Sequence, residues 1–289
     1  MNQRGTMFNP KNDFQPAWQP RNESIDHNGS YILVSRPGGD VLLPHGFTGD
    51  FPNIADPLPL PADWTRLQIG TLSGSPVFLI SAPPDAPSPN GLEWSSPRPF
   101  MGGLESGRME ALCRASMLAS WDYDHRFCGR CGTGTLQDPA EAARYCPACG
   151  HRAYPRVSPA MIVRIVSDSQ AGFDGPRILL AHNRRFSENL YSCVAGFVES
   201  GENLERTVLR EIEEEVGLKA SPPRYLTSQA WPFPHSLMLG FETSAHGTPV
   251  PDGDEITDAR WFSPDSMPQI PPHGTIARVL IDGWLETLV

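Results

Sequence analysis

Two groups of side chains in this 289-residue chain have the types and spacing that chemistry needs. The first is carboxylate-rich: Glu202, then Arg210-Glu211-Ile212-Glu213-Glu214-Glu215-Val216-Gly217-Leu218. On a helix turning about 100° per residue, Glu211 at zero puts Glu214 at about 300° and Glu215 at about 40°, on one face. Carboxylates this close repel by a few tenths of a kcal/mol per pair, and the negative end of the helix dipole adds to the penalty. Such a run can be a solvated acidic face, or it can hold a hard divalent cation that removes the repulsion. Arg210 stands at i,i+4 to Glu214 and can hold that carboxylate in place.

The second group is Cys128-Gly129-Arg130-Cys131 and Cys146-Pro147-Ala148-Cys149. Two C-x-x-C pairs at this separation read as a zinc site, and Gly132 and Gly150 supply the turn after each pair. Four thiolates complete a closed tetrahedron, so one structural Zn²⁺ per chain is expected. Two disulfides or a redox pair are the alternatives, with neither a secretory pattern nor a βαβ context to support them. Cys113 and Cys193 have no partner at metal spacing and read as packed small hydrophobes. Within 126–156, Arg126, Arg130, Arg144, Arg152 and Arg156 face Asp138 and Glu141, a local net charge of +3 in a chain of net −10. This is either ordinary surface or a basic flank for a phosphate-bearing substrate.

The elements that must position these groups follow from periodicity. The acidic residues lie on a helix from about Leu204 to Val216, with Asn203 as N-cap, Gly217 as C′ residue, and Val208, Leu209, Ile212 and Val216 as the buried stripe. Short strands are expected at Met161–Val166, Arg177–Ala181, Ser192–Val198, Tyr225–Gln229, Leu237–Phe241 and Ala259–Phe262, with a second helix over about 275–288. Strands with two helices and few βαβ repeats predict an α+β sandwich. Upstream, Tyr31–Val34 with Val41–Leu43 and Leu67–Ile69 with Val77–Ile80 read as hairpins, and Leu104–Trp121 as a helix. Residues 1–25 read as a loose, flexible tail and 83–99 as a Pro/Ser-rich linker or surface loop. The domains expected are the tail (1–25), a small N-terminal α+β domain (26–123), a zinc ribbon (124–155) and a C-terminal α+β domain (156–289).

The apolar set is 39% of the chain, enough for packed cores, and no run approaches the ~18 apolar residues of a membrane helix. The start of the chain lacks a secretory pattern, so a cytoplasmic protein is expected, with no membrane partner. The acidic balance (23 Lys plus Arg against 33 Asp plus Glu) argues against broad DNA binding, and no helix-turn-helix signal is present.

The pattern Gly196-x₅-Glu202-x₇-Arg210-Glu211-U-x-Glu214-Glu215-x-Gly217-U, with U apolar, resembles the Nudix hydrolase box at every defined position. Ser228-Gln229-Ala230-Trp231-Pro232-Phe233-Pro234-His235-Ser236 resembles the S-Q-P-W-P-F-P-x-S array of NADH pyrophosphatases of the NudC type, with Ala230 in place of the usual proline. The order of N-terminal domain, four-cysteine ribbon and Nudix domain matches too. This resemblance implies an α/β/α Nudix sandwich that hydrolyses the pyrophosphate of NADH or NAD⁺ to nicotinamide mononucleotide and AMP, and that removes NAD caps from RNA 5′ ends.

Catalytic Mg²⁺ or Mn²⁺ would lie on Glu211, Glu214, Glu215 and Glu255, with the Ala195 carbonyl as a further ligand, and Glu202 and Arg210 would complete the catalytic group. Substrate positions implied by the same likeness are Tyr154 and Phe197, which would sandwich the base, then Gln229 to Ser236, Glu141, Ala277 and Arg98. A homodimer is implied as well. Two other classes remain open: a Nudix hydrolase of ADP-ribose, dinucleoside polyphosphates or oxidised nucleotides, and a non-catalytic nucleotide sensor, although such a sensor commonly loses box glutamates and none is missing here.

Overall fold

The computed structural model describes residues 13–21, 29–47, 60–100 and 104–288. Two compact units emerge, one built on Ser158–Gln229 and Ser236–Val289, the other on Pro10–Val157 and Ala230–His235. Residues 230–235 group with the second of these units.

In the second unit, β1 (Phe14–Arg21), β2 (Tyr31–Ser35), β3 (Val41–Pro44), β4 (Thr65–Leu72), β5 (Ser75–Ser81) and β6 (Leu92–Ser95) form one sheet in the order β1-β4-β5-β2-β3-β6. The two expected hairpins are present as β2–β3 and β4–β5. Strand alternation splits the apolar residues. Leu33, Val41, Leu43, Leu67 and Leu79 pack on Leu112, Ala115 and Leu118 of α1 (Ser106–Asp124), while Ile32, Val34, Leu42, Phe78 and Ile80 build a cluster with Trp64.

Two expectations are corrected here. Residues 14–21 of the supposed tail form β1, whose prolines are tolerated because it is an edge strand with a register shift between Pro16 and Gln19. The rest of that expected tail, residues 1–12 and 22–25, lies outside the described residues. Within the supposed linker 83–99, Leu92–Ser95 forms β6 against β3, and its Trp94 Nε1 donates to the Ala86 carbonyl at 2.9 Å. Neighbouring prolines and serines masked a strand of only four residues.

The ribbon adds β7 (Leu136–Gln137), β8 (Arg144–Tyr145) and β9 (Arg152–Ala153) as a small antiparallel sheet. A buried ion pair of Arg144 with Asp122 of α1 ties it to the helix, and Gln137 Nε2 donates to the same carboxylate at 3.1 Å.

The first unit holds β10 (Ser158–Ser167), β11 (Ile178–Asn183), β12 (Val194–Phe197), β13 (Arg224–Trp231), β14 (Ser236–Ala245) and β15 (Ile256–Phe262) in one mixed sheet, so all six expected strands form. The order is β13-β14-β10-β11-β15, with β12 also on β10; β10 runs parallel to β14 and antiparallel to β11 and β12. Met161, Val163 and Ile165 of β10 pack on Val208, Ile212 and Val216 of α2 (Leu204–Val216). Ile162, Ile178 and Leu180 pack on the opposite face against Ile276, Leu280 and Trp284 of α3 (Ile276–Leu285). One helix on each face makes the α/β/α sandwich. Cys193 is buried beside α3, where burial pushes its thiol up to about 12; Cys113 is likewise buried and raised to about 12.

Candidate active site and zinc centre

The loop between β12 and α2 brings the acidic residues together. Asn203 caps α2 by accepting from the Arg206 N–H at 2.9 Å, and Gly217 ends it at φ 66, its N–H donating to the Glu213 carbonyl. That left-handed terminus favours glycine, which carries no Cβ. The amphipathic stripe fixes the rotation of α2, which turns the Glu211 carboxylate onto β12 at Gly196. A Cβ on Gly196 would overlap that carboxylate.

Arg210 organises three of the glutamates. Its Nε and Nη2 donate to the two oxygens of Glu202 at 2.9 Å each, and its Nη1 donates to Glu211 and to Glu214, both at 2.9 Å. Nη2 also donates to the Phe197 carbonyl at 3.0 Å. Hydrogen bonding by Arg210 holds the Glu202 carboxyl down at about 2. The surrounding carboxylates in turn raise the Arg210 guanidinium well above its ordinary value. Burial raises Glu211, against the pull of Arg210.

Glu215 differs from the others. It is 7% exposed, its Oε2 has no hydrogen-bond partner, and Arg210 does not reach it. Burial, followed by the charges of Glu211, Glu255, Asp252 and Glu214, pushes its carboxyl up to about 8. A buried carboxylate without a partner is costly, and a hard cation supplies what the protein withholds. The orphaned oxygen beside the Glu211 carboxylate is an oxygen donor set whose chemistry suits a divalent metal, while among the described residues only the four ribbon cysteines bring three or more donor atoms within 4.8 Å of one another.

Glu255, just before β15, is exposed, and its Oε1 accepts from Asn183 Nδ2 at 3.0 Å. Asp252 shapes this turn: its Oδ1 accepts from the N–H groups of Asp254, Glu255 and Ile256, and its own N–H donates to the Glu215 carbonyl at 3.2 Å. Sequence reading missed Asn183 and Asp252. The Asp252-Gly253-Asp254 turn was the available signal for Asp252, whereas Asn183 is recruited across the sheet and gave none. Ala195 lies in β12 opposite Ile162, next to the Glu211 cradle.

The aromatic positions are Phe197 in the first unit, 58% exposed, and Tyr154 in the second, 53% exposed. The Tyr154 hydroxyl donates to Glu141 at 3.1 Å, and Arg152 bridges Glu141 and Asp138. In the 230–235 segment, Trp231 and Phe233 meet edge to face at 5.2 Å, and the Arg98 guanidinium lies 4.2 Å from the Phe233 ring centre. Pro232 is buried, Pro234 exposed, and Ala230 and His235 half-buried; Ser236 is buried at the start of β14.

Gln229 is buried and already engaged. Its Nε2 donates to the Gly274 carbonyl and its Oε1 accepts from the Ile276 N–H, both at 2.8 Å, so its amide fixes the start of α3. Ala277 sits one residue beyond, packed in the α3 core.

In the ribbon, the sulfur atoms of Cys128, Cys131, Cys146 and Cys149 all lie within 4.8 Å of one another, with pairs at 3.5–3.6 Å. Zn–S bonds of about 2.3 Å imply a tetrahedral edge near 3.8 Å, so four thiolates at this spacing fit one closed structural zinc. The two knuckles repeat the same turn. Gly132 (φ 76) donates to the Cys128 carbonyl and Gly150 (φ 71) to that of Cys146. Of the five ribbon arginines, Arg144 and Arg152 are neutralised by acids and Arg126 lies over Tyr123, which shrinks the basic flank.

The chain is similar to known proteins over most of its length. The NUDIX domain family matches residues 158–282, and the NADH pyrophosphatase zinc ribbon domain family matches 124–154. A relative from Stutzerimonas stutzeri (strain A1501), named NAD-capped RNA hydrolase NudC, is 44% identical over 237 residues, covering 78% of this chain and 82% of its own. A relative of the same name from Pseudomonas fluorescens (strain Pf0-1) is 39% identical over 264 residues, covering 87% and 91%. A solved NUDIX hydrolase from Nitrosomonas europaea overlays 49% of this chain and 79% of its own, at 21% identity and a TM-score of 0.39.

Proposed function

The chain belongs to the NudC family of Nudix hydrolases, and on that premise we propose that it hydrolyses the pyrophosphate of NADH or NAD⁺ to nicotinamide mononucleotide and AMP, and cleaves the same bond in NAD-capped RNA. The observation that carries the reading is the intact acidic site: Glu211 seated on Gly196 and Glu215 buried without a partner beside it. A scaffold that only bound nucleotide would gain stability by losing Glu215; retention of the strained carboxylate argues for a metal-dependent reaction.

Glu211, Glu215 and Glu255, with Glu214 and the Ala195 carbonyl, would hold Mg²⁺ or Mn²⁺. When bound, the metal supplies charge neutralisation at the two phosphates and acidifies water. The rest falls to the chain. Arg210 fixes Glu202, Glu211 and Glu214 before substrate arrives, so no reorganisation is needed as charge develops. Glu214, with its side chain 59% exposed, or Glu255 accepts a proton from the attacking water. The water oxygen bonds one phosphorus, the bridging P–O bond breaks, and both products leave as phosphate monoesters. The exposed faces of Phe197 and Tyr154 are suited to stacking on a base or nicotinamide, worth about 1–3 kcal/mol per ring. The same reading assigns the protein to the cytoplasm as a homodimer, as the family implies.

The test is product analysis after incubation with NADH, NAD⁺ and ADP-ribose, each with Mg²⁺ or Mn²⁺, alongside Glu214→Gln and Glu215→Gln. Equimolar nicotinamide mononucleotide and AMP, lost in the variants, is expected. Turnover of ADP-ribose alone, or binding without turnover, would overturn the reading.

A further inference from the structure

A capped RNA differs from NAD(H) by a polyanion continuing from the adenosine, and a chain of net charge −10 repels it unless a cation is kept free for it. In the Nudix unit the arginines are mostly committed. Arg164, Arg210, Arg224, Arg260 and Arg278 face carboxylates, and Arg184 Nη2 donates to the Gly253 carbonyl at 2.7 Å. Among the described residues of that unit, the exposed side chains of Arg185, Arg206 and Lys219 keep no acceptor.

Of these three, Arg185 is the one whose backbone is tied by hydrogen bonds to Glu255. Its N–H donates to Asn183 Oδ1 at 3.0 Å, while Asn183 Nδ2 donates to Glu255 Oε1 at 3.0 Å. The Arg184 N–H donates to the Glu255 carbonyl at 2.9 Å, and the turn is closed by the Phe186 N–H on the Asn183 carbonyl at 2.9 Å. The backbone that carries Arg185 is therefore pinned, through one asparagine, to a carboxylate of the active site. Arg206, by contrast, lies about 140° around α2 from Glu211.

We infer that Arg185 is a specificity-determining residue for the polynucleotide: its free guanidinium takes a phosphodiester of the RNA that continues from the cap. The inference rests on the capped-RNA reading above. Free NADH has no such phosphodiester and gains nothing from this cation.

The test compares kcat/KM for an NAD-capped oligoribonucleotide and for NADH across the unmodified protein, Arg185→Glu, Arg185→Lys and Arg206→Glu. Arg206→Glu makes the same change in net charge at a position not tied to Glu255. Arg185→Glu is expected to lower kcat/KM for the capped RNA about fivefold, through KM, and to reduce the slope of log(kcat/KM) against log salt by about 0.7. NADH turnover should change less than twofold, and Arg185→Lys should restore RNA turnover. Equal losses for both substrates, or an equal effect from Arg206→Glu, would overturn the inference. If the unmodified protein cleaves NADH but not the capped RNA, the inference falls while the NADH reading stands; if it cleaves neither, the functional reading itself fails.

Discussion

Replacing Glu215 by Gln should stabilise the metal-free protein in a pH-dependent way. Glu215 is 7% exposed, has an unpartnered Oε2, and is held at about 8 in the fold against 4.5 for an ordinary glutamate. A carboxyl raised by folding contributes stability that is present below 4.5 and is lost as pH rises through 8. The displacement corresponds to about 5 kcal/mol in full, of which about 3.5 kcal/mol is lost between pH 5 and pH 8. Gln has the shape of the protonated acid and does not titrate, so the variant should match the parent near pH 5 and exceed it at pH 8.

Hydrogen exchange of the β10 and α2 amides, without divalent cations, reads this directly, because the intrinsic pH dependence of exchange is common to both proteins. The ratio of protection factors should grow about 400-fold from pH 5 to pH 8. Adding Mg²⁺ at pH 8 should protect the parent and not the variant. A ratio unchanged between the two pH values would refute the argument that Glu215 is a buried, uncompensated charge.

Gly196→Ala should leave the sheet folded by circular dichroism but displace the Glu211 carboxylate, lowering kcat by at least about tenfold with little change in melting temperature. Arg210→Ala frees Glu202 and leaves three carboxylates facing one another; activity should fall about a hundredfold and stability by about 2 kcal/mol, measured by turnover and urea titration. Gln229→Leu removes both 2.8 Å bonds at the start of α3, so urea titration should show a loss of about 2–3 kcal/mol, whereas a purely substrate-binding role would move KM and leave stability alone. Cys131→Ser should reduce bound zinc from one per chain to less than half, measured by elemental analysis, and melt the ribbon before the Nudix unit.

Much of this protein was legible in its residues. The period of Val208, Ile212 and Val216 defined α2, Asn203 and Gly217 marked its ends, and the spacing of four cysteines fixed the zinc centre, because helix caps, helix faces and metal knuckles are local in sequence. Long-range order was not legible. The edge strand Phe14–Arg21 is permitted only because β4 accepts it on one side, and Leu92–Ser95 is a strand only because β3 is there to pair with it. The acidic face looked uniform along the helix, yet packing splits it: Glu214 faces solvent, Glu211 rests on Gly196, and Glu215 is sealed in without a partner. Likewise Gln229 read as part of a substrate array, while the fold spends its amide on α3. By itself the sequence determined which groups exist and which helix or knuckle carries them. Only the tertiary structure decided which are buried, which are paired and which are left free, since desolvation and partnering depend on strands and loops that arrive from elsewhere in the chain.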